Sequence, residues 1–574
     1  MKILGFNSFG HDSAAALIVD DEIVFAVEEE RLNRKKHAGG FPEMAINACL
    51  AYEDITIDDL DHIAFFWNPT ISLSKIPIYL LKFWNKVPTL LREQRHFEVE
   101  ENLGMVNYLF DMYKLPKKLK ETFQSQNPKF KFHFFEHHFC HAASAFYPSS
   151  FEESSILTID GAGEWATTLL AEGKGNNIRK IQTVNTPYSL GAFYQAMSIH
   201  LGFKLIEGPG KMMGLASYGN PNGKVYQQMK KLFRLKSDGG FDFDMDYFSY
   251  HYTRKSGVSE KFTQLFGHSK KEGKDWTEHE LEVAAAAQHI VEDVVMHMAK
   301  HLKKVTKSNH LCMAGGVALN SVSNGIIAKS GLFKDIFIQP AAGDSGTAIG
   351  AALLLNHQKL NRPRKIQETA FLGPEFTNEI CIKAIEEAGL PYRIAREEIY
   401  SFTAEKILQN KIVAWFQGKM EFGPRALGNR SILANPMNKD MKDILNKRVK
   451  FREDFRPFAA IVTEKDCGTF FDHDYPNPYM LLVYHVREKY RSILPSLTHV
   501  DGTVRIQTVN EKENSPMAKL LKTFEKLSGY PVLINTSFNI KGEPIVCSPQ
   551  DAVRSFANAD VDYLIMNDMI VWKN

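Results

Sequence analysis

The sequence predicts a two-part α/β protein: an N-terminal part made by duplicating one hairpin unit, then a smaller, arginine-rich α+β part. Three observations predict it. "KILGFNSFGHDSAAALIVDDEIVFAVEEE" and "SILTIDGAGEWATTLLAEGKGNNIRKIQTV", about 150 residues apart, follow one order: apolar strand, loop with Gly and Asp, small-residue strand, polar turn, strand. "HLCMAGGVALNSVSNGII" and "IFIQPAAGDSGTAIGAALLL" each read as strand, Gly turn and helix. After the charged, Pro-containing Asn356–Glu368, which reads as a linker, short strands dominate and arginines sit beside aromatic, Pro and Gly residues. The expected domains are 1–360 and 361–574.

A chain of 574 residues exceeds what one core supports, in keeping with at least two domains. Its 69 basic and 67 acidic residues nearly cancel, which argues against a dedicated nucleic-acid binder. Six scattered cysteines without a C-x-x-C pair indicate a reduced compartment and no zinc ribbon or disulfide frame. The start "MKILGFNSFGHDS" turns polar too early for a signal-peptide core. "ISLSKIPIYLLKFW" is interrupted by Lys75 and Pro77 and is too short to span a bilayer. A cytoplasmic protein with no membrane and no nucleic-acid partner is expected.

Along the chain, the two Gly/Asp loops suit backbone cradles for the phosphates of one nucleotide. A long helix is expected over Glu278–Lys304, where Leu281, Ala284, Ala285, Ile290, Val291, Val294 and Val295 recur at helical spacing. The Gly turns that follow bring backbone N–H groups and helix starts toward a ligand. The C-terminal strands are "KIVAWFQG", "RPFAAIVTE", "YMLLVYHV", "TVRIQTV" and "YPVLINTSF".

Two constellations carry chemistry. In "EHHFCHAASAFYP", His137 and His141 are four apart and share a face of a helix favoured by Ala142, Ala143 and Ala145, whereas His138 cannot share it. Asp160 in "TIDGAGE" and Asp344 in "AAGDSG" each follow an apolar strand that delivers them to the same cleft. Two imidazoles with one or two carboxylates favour iron(II), manganese or zinc over magnesium. The alternative is a polar edge on a buried helix. In the C-terminal part, Arg425, Arg430, Lys450, Arg452, Arg456 and Arg505, with Asn535, Ser537 and Asn539, suit a small phosphorylated anion, because guanidinium forks match phosphate oxygens. Structural ion pairs with Glu453 and Asp454 are the alternative.

"GHDSAAAL", "EHHFCHAASAFYPSSFEESSILTIDGAGE", "GLASYG", "AGGVALN", "FGPRALGNRS", "KFREDFRPFA", "HVDGTVRIQTV" and "LINTSFN" together resemble the NodU/CmcH carbamoyltransferases over essentially the whole chain. The resemblance implies an N-terminal actin-like ATPase (ASKHA) domain related to the tRNA threonylcarbamoyltransferase, and a C-terminal YrdC-like domain. It implies that carbamoyl phosphate is used with ATP and Mg to form carbamoyl-adenylate, whose carbamoyl group passes to a hydroxyl of a small-molecule or sugar natural product. His137, His141 and Asp344 match the family's iron ligands, with Asp160 a fourth or water-mediated one. His11 matches a histidine at the transfer site, where general-base help is its implied role. Arg425, Lys450, Arg456 and Arg505 are the expected catalytic groups of the anion site. Gly315, Gly316 and Asn320 match the nucleotide-binding turn. Asp12, Gly161 and Gly343 in the Gly/Asp loops and Lys211 complete the expected nucleotide contacts, although "EGPGKMMGLASYG" departs from the family pattern at Pro209 and Met212–Met213. A homodimer is compatible with this reading. The rivals are a tRNA-directed threonylcarbamoyl transferase, an actin-fold small-molecule kinase and a nucleotide-gated interaction protein.

Overall fold

The structure is a computed structural model, described over residues 1–86, 89, 105–253, 257–271 and 275–573. Strands β1 (Lys2–Asn7), β2 (Ala14–Val19), β3 (Glu22–Glu28), β4 (His62–Phe65) and β5 (Lys131–Phe134) make one sheet in the order β3-β2-β1-β4-β5. A second sheet holds β6 (Glu153–Ile159), β7 (Ala166–Lys174) and β8 (Asn177–Asn185). After a separate pair, β9 (Phe233–Leu235) and β10 (Phe241–Phe243), it is completed by β11 (His310–Ala314) and β12 (Asp335–Ile338). Read from its hairpin, the second sheet runs β8-β7-β6-β11-β12, the same order as the first. In both, the hairpin is antiparallel and the next two strands are parallel to its first strand. This is the duplicated topology of the actin-like ATPase fold.

The inner strands are buried on both faces, which is why "KILGFN" and "AAALIV" read as nearly continuous apolar runs. Two helices fill the space beside them, His137–Phe146 and Gly346–Leu353. Glycine permits their contact. A Cβ on Gly350 would collide with the carbonyl of Cys140, and one on Gly5 of β1 would collide with that of Ala348. Close backbone approach therefore locks the start of the second helix, where Asp344 lies, beside the helix bearing His137 and His141.

The chain divides into two compact units: Met1–Val24 with Gly39–Ile366, and Phe25–Ala38 with Gln367–Asn574. The expected linker Asn356–Glu368 is corrected. Asn356 and His357 are fully buried, Arg362 donates to Asp21, and Arg364 donates to the carbonyls of Phe146, Ser149 and Phe151 while lying over the Phe146 ring. Its charges read as linker-like in sequence because their partners are more than 200 residues away.

The second unit carries nine strands: β13 (Tyr392–Ile394), β14 (Val413–Phe416), β15 (Arg430–Ala434), β16 (Ala459–Thr463), β17 (Leu482–His485), β18 (Thr503–Val509), β19 (Val532–Ser537), β20 (Tyr563–Met566) and β21 (Met569–Val571). Their order is β13-β21-β20-β14-β15-β19-β16-β18-β17, a mixed sheet. Helices Glu398–Leu408 and Ser515–Ser528 cover one end of one face, with Trp415, Leu433, Ile461, Leu521, Phe524 and Leu533 in the core. Paired residues on adjacent strands share a face. Ala459 pairs with both Asn535 and Arg505, and Ile461 with both Leu533 and Gln507. The face that is apolar at Leu533 is therefore polar at Asn535, Gln507 and Arg505. Asn535 donates to the carbonyl of Ala426 and Gln507 to that of Leu427, so the loop before β15 roofs this polar end.

Candidate metal centre and cationic cluster

His137 and His141 project from one face of their helix, and their Nε2 atoms are 3.1 Å apart. Asp160 Oδ2, just after β6, is 2.8 Å from His141 Nε2 and 3.6 Å from His137 Nε2. Asp344 Oδ1 is 3.7 Å and 3.8 Å from the same two nitrogens. All four ligand atoms lie within 4.8 Å of one another. Donors about 2.1 Å from one ion stand roughly 3.0 Å apart at right angles and roughly 3.4 Å apart at tetrahedral angles. The separations of 2.8–3.8 Å here lie around those values, so the set can close on one ion with small side-chain shifts. His138 turns away and bonds to Thr158.

The electrostatics agree with a cation site. Burial disfavours a charged His141, yet hydrogen bonds and charge from Asp160 and Asp344 outweigh it and push its pKa up to about 9. Burial also works against an ionised Asp160, and the two imidazoles overcome it, holding that carboxyl well below its ordinary range. Two carboxylates and two imidazoles this close demand positive charge, as protons or as a metal ion.

The sequence reading missed the group that fixes the helix start. Glu164 Oε1 accepts the backbone N–H groups of Asn68 at 2.7 Å and His137 at 3.1 Å, so a carboxylate sits at the helix N-terminus, where the dipole favours it. Burial pushes its pKa up to about 8. The signal was present, since Glu164 closes the "TIDGAGE" run that supplies Asp160.

The loops named as nucleotide contacts converge here. A Cβ on Gly10 would come 3.3 Å from Asp344 Oδ2, and one on Gly316 would come 3.1 Å from Asp160 Oδ1. Gly315 adopts φ +90°, and its N–H donates to Ala342, joining the GGVALN turn to the turn that bears Gly343 and Asp344. The Gly161 N–H donates to Asp160 Oδ1 at 2.6 Å, and the space where its Cβ would stand is open. His11 Nδ1 is 3.0 Å from Asp12 Oδ2, and the ring is about half exposed (48%). Its surroundings disfavour charge by desolvation, but Asp12, Asp344 and Asp160 prevail and push its pKa up to about 10. Asn320 is corrected as a side-chain contact. Its amide pairs with Gln288 in both directions and accepts the N–H of Ser323 as the cap of helix Ser321–Lys329. Lys211, on helix Gly208–Leu215, is 3.4 Å from Glu207.

In the second unit, Arg425, Arg452, Arg456 and Arg505 form one cationic cluster. Burial, then Arg456, pushes the Arg425 pKa down to about 10 and that of Arg452 to about 9. Burial, with Arg425, Arg452 and Arg456 around it, holds Arg505 well below its ordinary value. The buried Nε–H groups of Arg425 and Arg505 have no hydrogen-bond partner among the described residues. Glu453 lies 3.9 Å from Arg456, an acid beside the cluster. Lys450 is saturated: it donates to the carbonyl and hydroxyl of Ser537 and to both oxygens of Asn539. It thus braces the turn after β19 instead of offering a free ammonium. Burial, with Arg452, Arg456 and Lys36 nearby, drives its pKa far down.

Arg430 is a third correction. It is fully buried, lies over the Phe416 ring, and donates to the carbonyls of Gln417, Asn429, Pro374, Gly418 and Cys547. It is a strut, with no N–H left for a ligand. Arg430→Ala should accordingly destabilise the protein by on the order of 3–5 kcal/mol through stranded carbonyls, a loss that denaturant unfolding reads. Glu421 shapes the same loop, accepting the N–H groups of Leu427, Asn429 and Arg430 at 2.8–3.0 Å.

The carbamoyltransferase N-terminus family model matches residues 2–353, and the carbamoyltransferase C-terminus model matches residues 404–573. A protein of Synechocystis sp. is 40% identical across 100% of this chain and 96% of its own length. The nodulation protein NolNO of Sinorhizobium fredii is 36% identical across 99% of this chain and 80% of its own. A 3'-hydroxymethylcephem-O-carbamoyltransferase of Amycolatopsis lactamdurans is 34% identical across 46% of this chain and 49% of its own. With a duplicated ATPase-type fold and matches to both halves of one enzyme family, the chain belongs to the carbamoyltransferases.

Proposed function

We propose that the protein is an ATP-dependent O-carbamoyltransferase that draws its carbamoyl group from carbamoyl phosphate and delivers it to a hydroxyl of a small molecule or sugar. The observation that carries this is the pairing, in one chain, of a His/His/Asp/Asp centre beside open glycine loops with a separate cluster of four guanidiniums. In the proposed sequence, water hydrolyses carbamoyl phosphate in the arginine-rich unit, giving carbamate, phosphate and a proton. Carbamate then attacks the α-phosphorus of ATP, releasing pyrophosphate. The acceptor oxygen attacks the carbamoyl carbon of the resulting adenylate, AMP leaves, and the acceptor proton is lost to a base. The relative acting on a hydroxymethylcephem supports a hydroxyl acceptor.

His137, His141, Asp160 and Asp344 would hold an iron(II), manganese or zinc ion, which supplies Lewis-acid stabilisation of developing negative charge. Around them, the open space at Gly161 and the Gly316 turn suit phosphate oxygens of ATP, with Mg as its counter-ion, while the N–H groups of Gly161 and Gly315 stay on Asp160 and Ala342. Arg425 and Arg505 would orient the phosphate of carbamoyl phosphate through their unpartnered N–H groups. Asp12 holds His11 Nδ1, which leaves Nε2 to face an acceptor. A base must be neutral, whereas the hydrogen bond and charge of Asp12, with the fields of Asp344 and Asp160, favour a charged His11; a cation between Asp160 and Asp344 would cancel only their share. Among the described residues no helix is long and apolar enough to cross a membrane, and the six free, buried cysteines support a cytoplasmic site of action.

Release of AMP and pyrophosphate, dependent on both ATP and carbamoyl phosphate, tests the reading. ADP release would make it a kinase, and transfer to tRNA would make it a nucleic-acid enzyme. His11→Asn should slow acceptor carbamoylation by about 10²–10⁴-fold, the usual weight of a general base, with adenylate formation retained. Trapped carbamoyl-adenylate in that variant is the expected signature, and equal loss of both steps would remove His11 from the transfer chemistry.

A further inference from the structure

The loop that carries Arg425 is held by residues from the other end of the sequence. Gly423 has φ +127°, a backbone state open to glycine and strained for other residues. Both of its backbone polar groups are taken. Its N–H donates to Glu28 Oε1 at 2.8 Å, and its carbonyl accepts from Arg31 Nη2 at 3.0 Å. Pro424 follows with its ring-fixed φ, so the direction in which Arg425 leaves the loop is set by those two hydrogen bonds.

The clamp is a buried ionic group beside an apolar cluster. Arg31 Nε is 3.5 Å from Glu28 Oε2 and Arg31 Nη1 is 2.5 Å from Glu30 Oε1, while Glu30 Oε2 accepts the His37 N–H at 2.6 Å. Glu28, Glu30 and Arg31 are all buried, and Leu32 packs with Met420, Ala426, Ile545 and Cys547. The segment is anchored at two further places. Ala26 N–H donates to Leu372, and Arg34 donates to the carbonyls of Pro544 and Ile545 and pairs with Asp551 at 3.3 Å. Burying three charges is costly unless each is paired and hydrogen-bonded, and apolar residues would pack such a core at no greater cost. Here the charges terminate on the two polar groups of one strained glycine, two residues before Arg425. Stability alone leaves that choice of target without a reason.

We infer that Glu28 and Arg31 are positioning residues for the anion site of the arginine-rich unit, acting through Gly423 to aim Arg425. The inference rests on the proposed reading of that site as the one for carbamoyl phosphate, and it adds a requirement: residues Phe25–Ala38 belong to the site's working unit, so a fragment beginning after the first unit lacks part of it.

Steady-state kinetics on the full chain test it, with carbamoyl phosphate and ATP varied separately, together with calorimetry using inorganic phosphate. Glu28→Ala should raise KM for carbamoyl phosphate and weaken phosphate binding about tenfold or more, as loss of a buried charge-assisted hydrogen bond does, and leave KM for ATP unchanged. Glu28→Gln keeps an acceptor for the Gly423 N–H and should stay within about threefold of wild type. Should Glu28→Ala not fold, Arg31→Lys takes its place: it loses the planar fork that reaches carbonyl and carboxylates together and should show the same selective rise. Unchanged KM, an equal rise for both substrates, or a glutamine variant as impaired as the alanine one would overturn the inference. If wild type binds neither inorganic phosphate nor carbamoyl phosphate, the reading of the site falls. If wild type binds and Glu28→Ala binds as tightly, only the positioning role falls.

Discussion

His141→Ala is expected to strip the protein of stoichiometric transition metal and to abolish carbamoyl transfer while leaving the fold largely intact. The imidazole it removes is the one closest to Asp160, at 2.8 Å, and stands 3.1 Å from the other imidazole. Loss of an outer-shell partner alone costs roughly 10–100-fold in metal affinity, and loss of a direct ligand should cost more. The helix keeps its apolar face through Cys140, Ala142, Ala145 and Phe146, and Glu164 still holds its N-terminus, so circular dichroism and the unfolding midpoint should change little. Metal analysis of protein purified without chelator reads the result. Wild type that turns over fully with no metal bound would reduce these histidines to a polar edge. Binding must also displace the proton that the neighbouring carboxylates hold on His141, so loading should release acid.

Arg505→Ala or Arg425→Ala is expected to cost roughly 2–4 kcal/mol in the use of carbamoyl phosphate, or about 30–800-fold in kcat/KM. Each is a half-buried guanidinium whose Nε–H has no hydrogen-bond partner among the described residues, in a cluster that penalises its own charge. That penalty gives the experiment a distinctive sign. Removing one cation removes its repulsion with the other three, so the unliganded variant should melt no lower than wild type even as activity collapses. Arg430→Ala should do the opposite, because that residue carries structure and has nothing left for a ligand. Carbamoyl-adenylate supplied directly should still be consumed by the Arg425 and Arg505 variants. If it is not, the two units do not divide the labour as proposed.

Much of the first unit was legible because its signals are local. The repeated hairpins announce themselves by a loop of Gly and Asp between two apolar strands, and the sheets repeat one strand order. His137 and His141 share a face because four residues make about one helical turn. Their helix is the expected one. In the second unit, "TVRIQTV" and "YPVLINTSF" became β18 and β19 for the same reason, strand propensity over a short run.

What the sequence alone determined is therefore the inventory: duplicated hairpins, glycine turns, a histidine face, and a crowd of arginines in a β-rich half. Only the tertiary structure decided which of these charged and polar groups face a ligand. Arg425 and Arg430 are five residues apart and look alike in sequence, yet one keeps an N–H without a partner among the described residues and the other is spent on five carbonyls. Asn320 looked like a ligand contact and is a cap paired with Gln288. Glu28 and Arg31 gave no signal at all, because their partner lies almost 400 residues away. The physical reason is common to the three. Local spacing fixes which side chains share a face, but whether a buried donor is free depends on which distant acceptors the fold brings to it. Burial makes every such group find a partner or wait for one.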